Sequence, residues 1–355
     1  MPKILEINEA EAKLDSSPLQ EAGELLKNGK LVVLPTETVY GIGANALNGE
    51  AVKKIFEAKG RPSDNPLIAH INNFDMLTML AQNIGDIENK LMKAFWPGPL
   101  TLILEKAAQV PVEITGGKTN SNNVAVRMPS SVIAQAIITY AGTPIAAPSA
   151  NKSGKPSGTG IADIFDELKD SVALFIDAGL PDIGVESTVV KVIDGMPTIL
   201  RPGKITLEDI QDVVGHARLD DSVFSKIDDD TAPSSPGMKY RHYAPDCQCQ
   251  LIEIADNESK VARVIEIVKK ASPEKIVVLC ANENVQRYEY LANVCVLPMG
   301  GNENHDEIAR SLFVNLRKAE AYEPKLVLIE GVKREGLGVA LMNRLIRACG
   351  YNIVH

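Results

Sequence analysis

Short apolar runs alternating with stretches of helical periodicity recur along almost the whole chain, and this alternation restricts the fold to an α/β arrangement. The best strand candidates in the first part are Lys30–Leu34, Leu67–Ile71, Leu100–Leu104, Val124–Arg127, Pro144–Ala146, Ala173–Ile176 and Val189–Val192. Ser17, Pro18 and Gly29 bracket a helix with an N-cap, a first-turn proline and a C-terminal glycine, and another helix is expected near Leu207–Val213. The pattern leaves parallel and antiparallel connections open there. Further on, Gln250–Ile254, Lys275–Cys280, Val294–Leu297 and Leu326–Ile329 are separated by helical stretches such as Ser259–Lys270 and Asp306–Ala319. That regular alternation predicts a smaller, Rossmann-like parallel sheet wound on both sides. Between the two patterns lie acidic pairs and a Pro/Ser-rich stretch, read as a linker. The expected division is 1–215, a linker over 216–246, and 247–355, which suits a length of 355 residues.

Bulk properties exclude several classes. No apolar run approaches a bilayer span and the first ten residues lack a signal core, so a cytoplasmic location without membrane contact is expected. The five cysteines are odd in number and lack a Cys-x-x-Cys pair, which predicts reduced thiols without a chemical role. A net charge of −9 argues against a broad basic face for nucleic acid, and any positive potential must be local to a cleft. Gly117-Lys-Thr119 resembles the end of a P-loop, but Val112 stands where its first glycine is required. Ser149 lacks Gly-x-Ser-x-Gly surroundings, and the five histidines have neither triad nor metal spacing. The second domain has no Gly-x-Gly-x-x-Gly after its first strand, so a dinucleotide site is not indicated.

The segment Lys59-Gly-Arg-Pro-Ser-Asp-Asn-Pro66 joins a helix, marked by Ala51, Val52, Ile55 and Phe56, to a buried strand. Lys59 offers a point charge to a phosphate and Arg61 a planar fork, within a loop pinned by two prolines. A solvated turn would be the better reading of an isolated Lys-x-Arg. Further motifs stand around it in order: Pro35-Thr-Glu-Thr-Val-Tyr-Gly-Ile-Gly43, Trp96-Pro-Gly-Pro-Leu-Thr101, Val124-Ala-Val-Arg-Met-Pro129, Pro144-Ile-Ala-Ala-Pro-Ser-Ala-Asn151, Glu186-Ser-Thr188 and Leu200-Arg-Pro-Gly203.

Together these motifs closely resemble the L-threonylcarbamoyladenylate synthase family, whose YrdC-like domain starts the biosynthesis of N6-threonylcarbamoyladenosine in tRNA. The resemblance covers about residues 15–215, and Pro236–Pro245 with Gly336–Arg344 is similar to the linker and second domain of the family's long form. It implies a twisted open mixed sheet with a catalytic cleft. It also implies a nucleotidyltransferase that joins L-threonine, bicarbonate or CO2, and ATP to give L-threonylcarbamoyladenylate and pyrophosphate. By resemblance, Lys59, Arg61, Asn65, Ser149, Asn151, Ser157 and Arg201 meet ATP, with Lys59 and Arg61 also stabilising charge on the departing pyrophosphate. Thr36, Thr38, His70, Arg127, Ala147 and Ser187 line the threonine pocket, where Arg127 pairs with the carboxylate. Asn123 stands where the family often has a threonine near the nucleotide, and it can still donate and accept a hydrogen bond. Mg²⁺ is expected to accompany ATP, with no protein ligand named. A downstream tRNA threonylcarbamoyl transferase is the expected partner, with transient contact to tRNA.

Pro236-Gly-Met-Lys-Tyr-Arg-His-Tyr-Ala-Pro245 sets aromatic and basic residues between prolines, which suits a lid: Tyr243 would cover the adenylate while Lys239 or Arg241 adds charge. An aromatic hinge between domains is the simpler reading. Two other functions are weighed. A non-catalytic RNA-binding module is opposed by the acidic charge and the lack of aromatic stacking repeats. Carbamoyl transfer from carbamoyl phosphate uses a similar domain, yet comes with zinc-finger cysteines and an acyl-phosphatase segment that this chain does not display.

Overall fold

Local signals start and stop the elements that carry the site. Helix Gly49–Lys59 begins where the Asn48 side chain accepts the Ala51 N–H at 3.1 Å, and it ends where Gly60 turns left-handed at φ 60°. This leaves Lys59 in the last turn and Arg61 just beyond it. In the same way Ser131 caps Val132–Ala141, and Thr206 with Asp209 forms a reciprocal capping box at Leu207–Val214.

The computed structural model describes residues 2–14, 16–117, 122–226 and 243–355. These form two compact units: one holds the residues up to Ser153 and those from Ser157 to 226, the other Gly154–Pro156 and residues 243–355. The first unit is built on a mixed sheet. Its strands run in the order Lys3–Glu6, Leu174–Asp177, Val32–Leu34, Gly41–Asn45, Ile145–Ala146, Ile68–His70, Asn123–Arg127, Leu100–Lys106, Thr188–Ile193, Met196–Arg201 and Arg218–Leu219. Ala81–Gln82 pairs with Leu100–Lys106 off this path.

The core lies between this sheet and its helices. Ser17–Lys27 contributes Leu19, Ala22 and Leu26, and Val132–Ala141 contributes Ile133, Ala134, Ile137 and Ile138. These two helices cross closely because Gly23 has no side chain: a Cβ there would lie 2.5 Å from that of Tyr140.

Five of the sheet's strands escape the apolar pattern: Lys3–Glu6, Gly41–Asn45, Ala81–Gln82, Met196–Arg201 and Arg218–Leu219. Lys3–Glu6 is an edge strand paired with Leu174–Asp177, where mostly exposed side chains carry no core signal. Gly41–Asn45 is buried but glycine-rich, and a Cβ on Gly43 would meet Leu34 at 2.7 Å. The expected linker also starts too early. Arg218–Leu219 adds a parallel strand beside Met196–Arg201, so residues 216–226 belong to the first unit. The backbone hydrogen bonds of that edge outweigh the polar composition that suggested a linker.

The second unit has a five-stranded parallel sheet in the order Val294–Gly300, Ile276–Ala281, Leu326–Glu330, Cys249–Ile252 and Ile353–Val354. Helix Asn257–Ala271 covers one face through Val261, Val264 and Val268. Helices His305–Ala321 and Leu337–Ala348 pack on each other, against Val294–Gly300 and Cys249–Ile252. Cys280 and Cys349 are buried here, and burial pushes both thiols well above their ordinary range.

Candidate active site

Sheet register brings the predicted polar residues together. His70 lies opposite Arg127, and Arg127 lies opposite Thr101, on three neighbouring strands. Thr101 Oγ1 shares a hydrogen bond of 2.7 Å with Ser187 Oγ, just before the next strand. Arg201 closes the row, its Nε and Nη2 donating to the Ser187 carbonyl at 3.1 and 2.9 Å and Nη2 also to Ser187 Oγ at 3.1 Å. Such a row on the sheet's interior is sparingly hydrated and therefore extensively hydrogen-bonded.

The loop Pro35–Thr38 meets this row. Arg127 Nη1 donates to Thr38 Oγ1 at 2.8 Å, and Nε donates to the Gly98 carbonyl at 3.2 Å. Its Nη2 lies 2.5 Å from Glu37 Oε1, in an ion pair whose members are 4% and 7% exposed. Thr36 Oγ1 donates to the Val39 carbonyl at 2.7 Å, so the 2.8 Å contact between the two threonine hydroxyls uses the Thr38 proton. Thr36 is thus a turn-former, and Thr38 is oriented from both sides. Ala147 follows strand Ile145–Ala146, its N–H donating to the Ile68 carbonyl at 3.0 Å, and it packs against Gly41.

Arg127 is expected to hold a carboxylate, and in this structure a carboxylate of the chain itself, that of Glu37, occupies it. A guanidinium so deeply buried requires a counter-charge. Burial pushes the Glu37 carboxyl up, but the Arg127 charge and the Ser130 N–H outweigh this and hold it below its ordinary value. His70 is pushed down to about 3, first by burial and then by the Arg127 charge, so it is neutral at physiological pH. Three buried atoms here have no hydrogen-bond partner: His70 Nδ1, Glu37 Oε2 and Arg127 Nη2, the last held only in the ion pair with Glu37.

A second cluster surrounds Lys59. Its Nζ donates to the carbonyls of Ser149 and Asn151 at 2.6 and 2.5 Å, and the side chain is almost fully buried. Lys59 is therefore a strut for the 149–151 loop as well as a charge. Ser149 Oγ donates to Asn151 Oδ1 at 2.6 Å. Arg61 Nη2 donates to the carbonyls of Asn65 and Pro66 at 3.4 and 3.0 Å, closing the predicted loop on itself. Ser157 Oγ donates to Glu186 Oε1 at 2.5 Å, and the adjoining Ser187 connects this cluster to the Arg127 row. The 38–41 segment also links them: Gly41 bridges to Ser149, and the Thr38 carbonyl accepts the Gly184 N–H at 3.1 Å.

The sequence-based set lacks Glu37, Thr101 and Glu186. All three stand inside the ordered motifs; two acids beside expected cations were the signal for Glu37 and Glu186, while the place of Thr101 follows from the register. Asn123 begins the strand that Arg127 ends, about 13 Å along it, and the register that sets Ile68 beside Ala125 puts Asn123 level with Pro66, at the end of the Lys59–Pro66 loop. Tyr243 is in the second unit, its ring stacked on Phe313 at 5.3 Å with the Arg344 guanidinium 5.6 Å from its centre. An aromatic ring gains from such a buried stack, and Tyr243 packs within the second unit in this structure. The rest of the expected lid, 236–242, lies outside the described residues.

The family model described as "Telomere recombination" matches residues 24–203, and that described as "Threonylcarbamoyl-AMP synthase, C-terminal domain" matches residues 205–350. The chain belongs to the threonylcarbamoyl-AMP synthase family. It is 44% identical to threonylcarbamoyl-AMP synthase of Pyrococcus abyssi, over 96% of this chain and 97% of that protein. The Bacillus subtilis protein of that name is 39% identical, over 97% and 96%. A crystal structure of Pyrococcus abyssi Sua5 complexed with L-threonine superposes with a TM-score of 0.90 at 43% identity, covering 99% of each chain. The mixed sheet and the parallel second sheet described above are those of this family. Among the described residues, no helix is long and apolar enough to cross a membrane.

Proposed function

We propose that this chain is a nucleotidyltransferase that makes L-threonylcarbamoyladenylate from L-threonine, bicarbonate or CO2, and ATP, releasing pyrophosphate. The threonine amine adds to the carbon of CO2 and loses a proton, giving a carbamate. A carbamate oxygen then attacks the α-phosphorus, and the bond to pyrophosphate breaks in line. No covalent enzyme intermediate is needed, so catalysis rests on positioning and on cations near the developing charge.

The observation that carries this reading is the unsatisfied His70 Nδ1 within the polar row of Arg127, Thr38 and Ser187. A neutral imidazole and a hydroxyl suit the threonine side chain, and Arg127, held in place by Glu37, suits its carboxylate. Arg61 and Lys59 supply charge on the ATP side. Among the described residues, no three of His, Cys, Asp and Glu converge on a metal position, so Mg²⁺ would enter on ATP, held by phosphate and water. The mixed anhydride product requires an acceptor: a tRNA threonylcarbamoyl transferase in the cytoplasm, with tRNA met only transiently, completes this reading.

Mixing the protein with ATP, bicarbonate and threonine should release pyrophosphate and yield the adenylate by mass spectrometry. Release that does not depend on threonine and bicarbonate would refute the proposal. If His70 reads the hydroxyl, valine should be discriminated against more strongly than serine, because an unpaired buried polar group costs more than a missing methyl. Equal turnover of valine and threonine would show that the hydroxyl is not read.

A further inference from the structure

The parallel sheet of the second unit contains a point where the chain reverses its direction of travel. From Cys249–Ile252 the chain crosses to Ile276–Ala281 on one side, and from the neighbouring Leu326–Glu330 it crosses to Ile353–Val354 on the other. The segments that follow these two strands therefore part, and a crevice opens beyond their carboxyl ends. Open α/β sheets bind their ligands at such a place. Gly331 forms its floor: its N–H donates to the Ile252 carbonyl at 2.9 Å, and a Cβ there would lie 3.1 Å from that oxygen.

A cavity of about 390 Å³ occupies this crevice, within the range of small-molecule sites, roughly 300–1,000 Å³. Its charges do not cancel. Arg334 takes up Glu253 through two bonds of 2.6 and 2.7 Å, and Lys333 takes up Glu303 at 2.8 Å. Lys260 remains. It lines the cavity, is 7% exposed, and its Nζ donates to the neutral Gly331 carbonyl at 3.1 Å, with no carboxylate partner among the described residues. A lysine charge removed from water without a counter-ion is costly, and an anion in the cavity would relieve it.

We propose that this crevice binds a phosphate-bearing small molecule, with Lys260 as its buried cation and Lys333 and Arg334 at the rim. Phosphate suits the place because a group with two negative charges can meet Lys260 and a rim cation at once; the start of the helix Asn257–Ala271 adds little, since Asp256 already accepts the Ser259 N–H at 2.8 Å and Glu258 stands in its first turn. No Gly-x-Gly-x-x-Gly is needed, since a lysine and the rim cations hold the charge that such a loop would hold through main-chain N–H groups.

Hydrogen exchange of the full chain with millimolar inorganic phosphate, pyrophosphate or AMP tests this. Peptides over 253–260 and 331–334 should be protected by at least one probe, with affinity reduced about tenfold or more in Lys260→Met and in Lys333→Glu. Pyrophosphate release by the first unit should be unchanged in both variants. Lys333 is exposed, so its variant decides the matter even if Lys260→Met folds poorly. Protection confined to the first unit, or equal protection of these peptides in both variants, would overturn the proposal.

Discussion

At the level of single residues, burial separates groups that the motifs present as equals. Lys59 and Arg61 both stand near expected phosphates, but Lys59 is buried on two carbonyls while Arg61 is half exposed. Arg61→Ala should therefore lower adenylate formation about ten- to a hundredfold with little change in melting temperature. Lys59→Ala should lower both, with a stability loss of roughly 1–3 kcal/mol, because the Ser149 and Asn151 carbonyls lose the Nζ donor, although the Ser149 carbonyl keeps the Asn151 N–H at 3.1 Å. Equal melting temperatures of the two variants would show that Lys59 is not a strut. His70 gives a pH signature. Its pKa is depressed on folding to about 3, so its contribution is intact above the unfolded value near 6.5 and is lost as pH falls below it. Glu37, also depressed, acts in the same sense at lower pH. Unfolding free energy should fall between pH 6.5 and 4 by up to about 1.4 kcal/mol per unit from His70, and less steeply in His70→Gln. Urea titrations across that range check the difference; identical slopes would assign the loss to other groups.

At the level of elements, stop signals and close approaches matter more than propensity. Gly23→Ala would favour the helix intrinsically by about 1 kcal/mol. Yet its Cβ would stand 2.5 Å from that of Tyr140 and 2.7 Å from the Ala141 nitrogen, atoms that belong to a packed helix and cannot swing away. Overpacking of this kind costs about 1–3 kcal/mol, so the contact should win and the melting temperature should drop. A rise would mean that the two helices can separate freely. The strands with continuous apolar runs were legible in the sequence because both of their faces are covered. Gly41–Asn45 and Arg218–Leu219 were not, since one packs through missing side chains and the other is held mainly by backbone hydrogen bonds.

At the level of the whole molecule, each unit builds polar networks of its own within its core. In the second, Glu330 at a strand end accepts from Tyr288 OH at 2.6 Å, Asn284 Nδ2 at 2.9 Å and the Ala281 N–H at 2.9 Å, so that a buried carboxylate is fully bonded. Tyr243 belongs to the same unit by its stack on Phe313. Tyr243→Ala should destabilise that unit by roughly 2–5 kcal/mol while Tyr243→Phe, which keeps the ring, should preserve it. Denaturant unfolding followed by exchange at residues 313 and 344 reads this; an unaffected second unit would show that the stack contributes little. The class of the fold, the presence of two sheets and the family could all be read along the chain, because apolar periodicity and ordered motifs are local properties. Folding in three dimensions alone sets Glu37 against Arg127, lets Lys59 brace a loop ninety residues away, and leaves Lys260 on a carbonyl with no carboxylate partner among the described residues, in a crevice that Glu253 and Glu303 also line. Those are pairings between distant strands and loops, set by register and burial, and no local pattern encodes them.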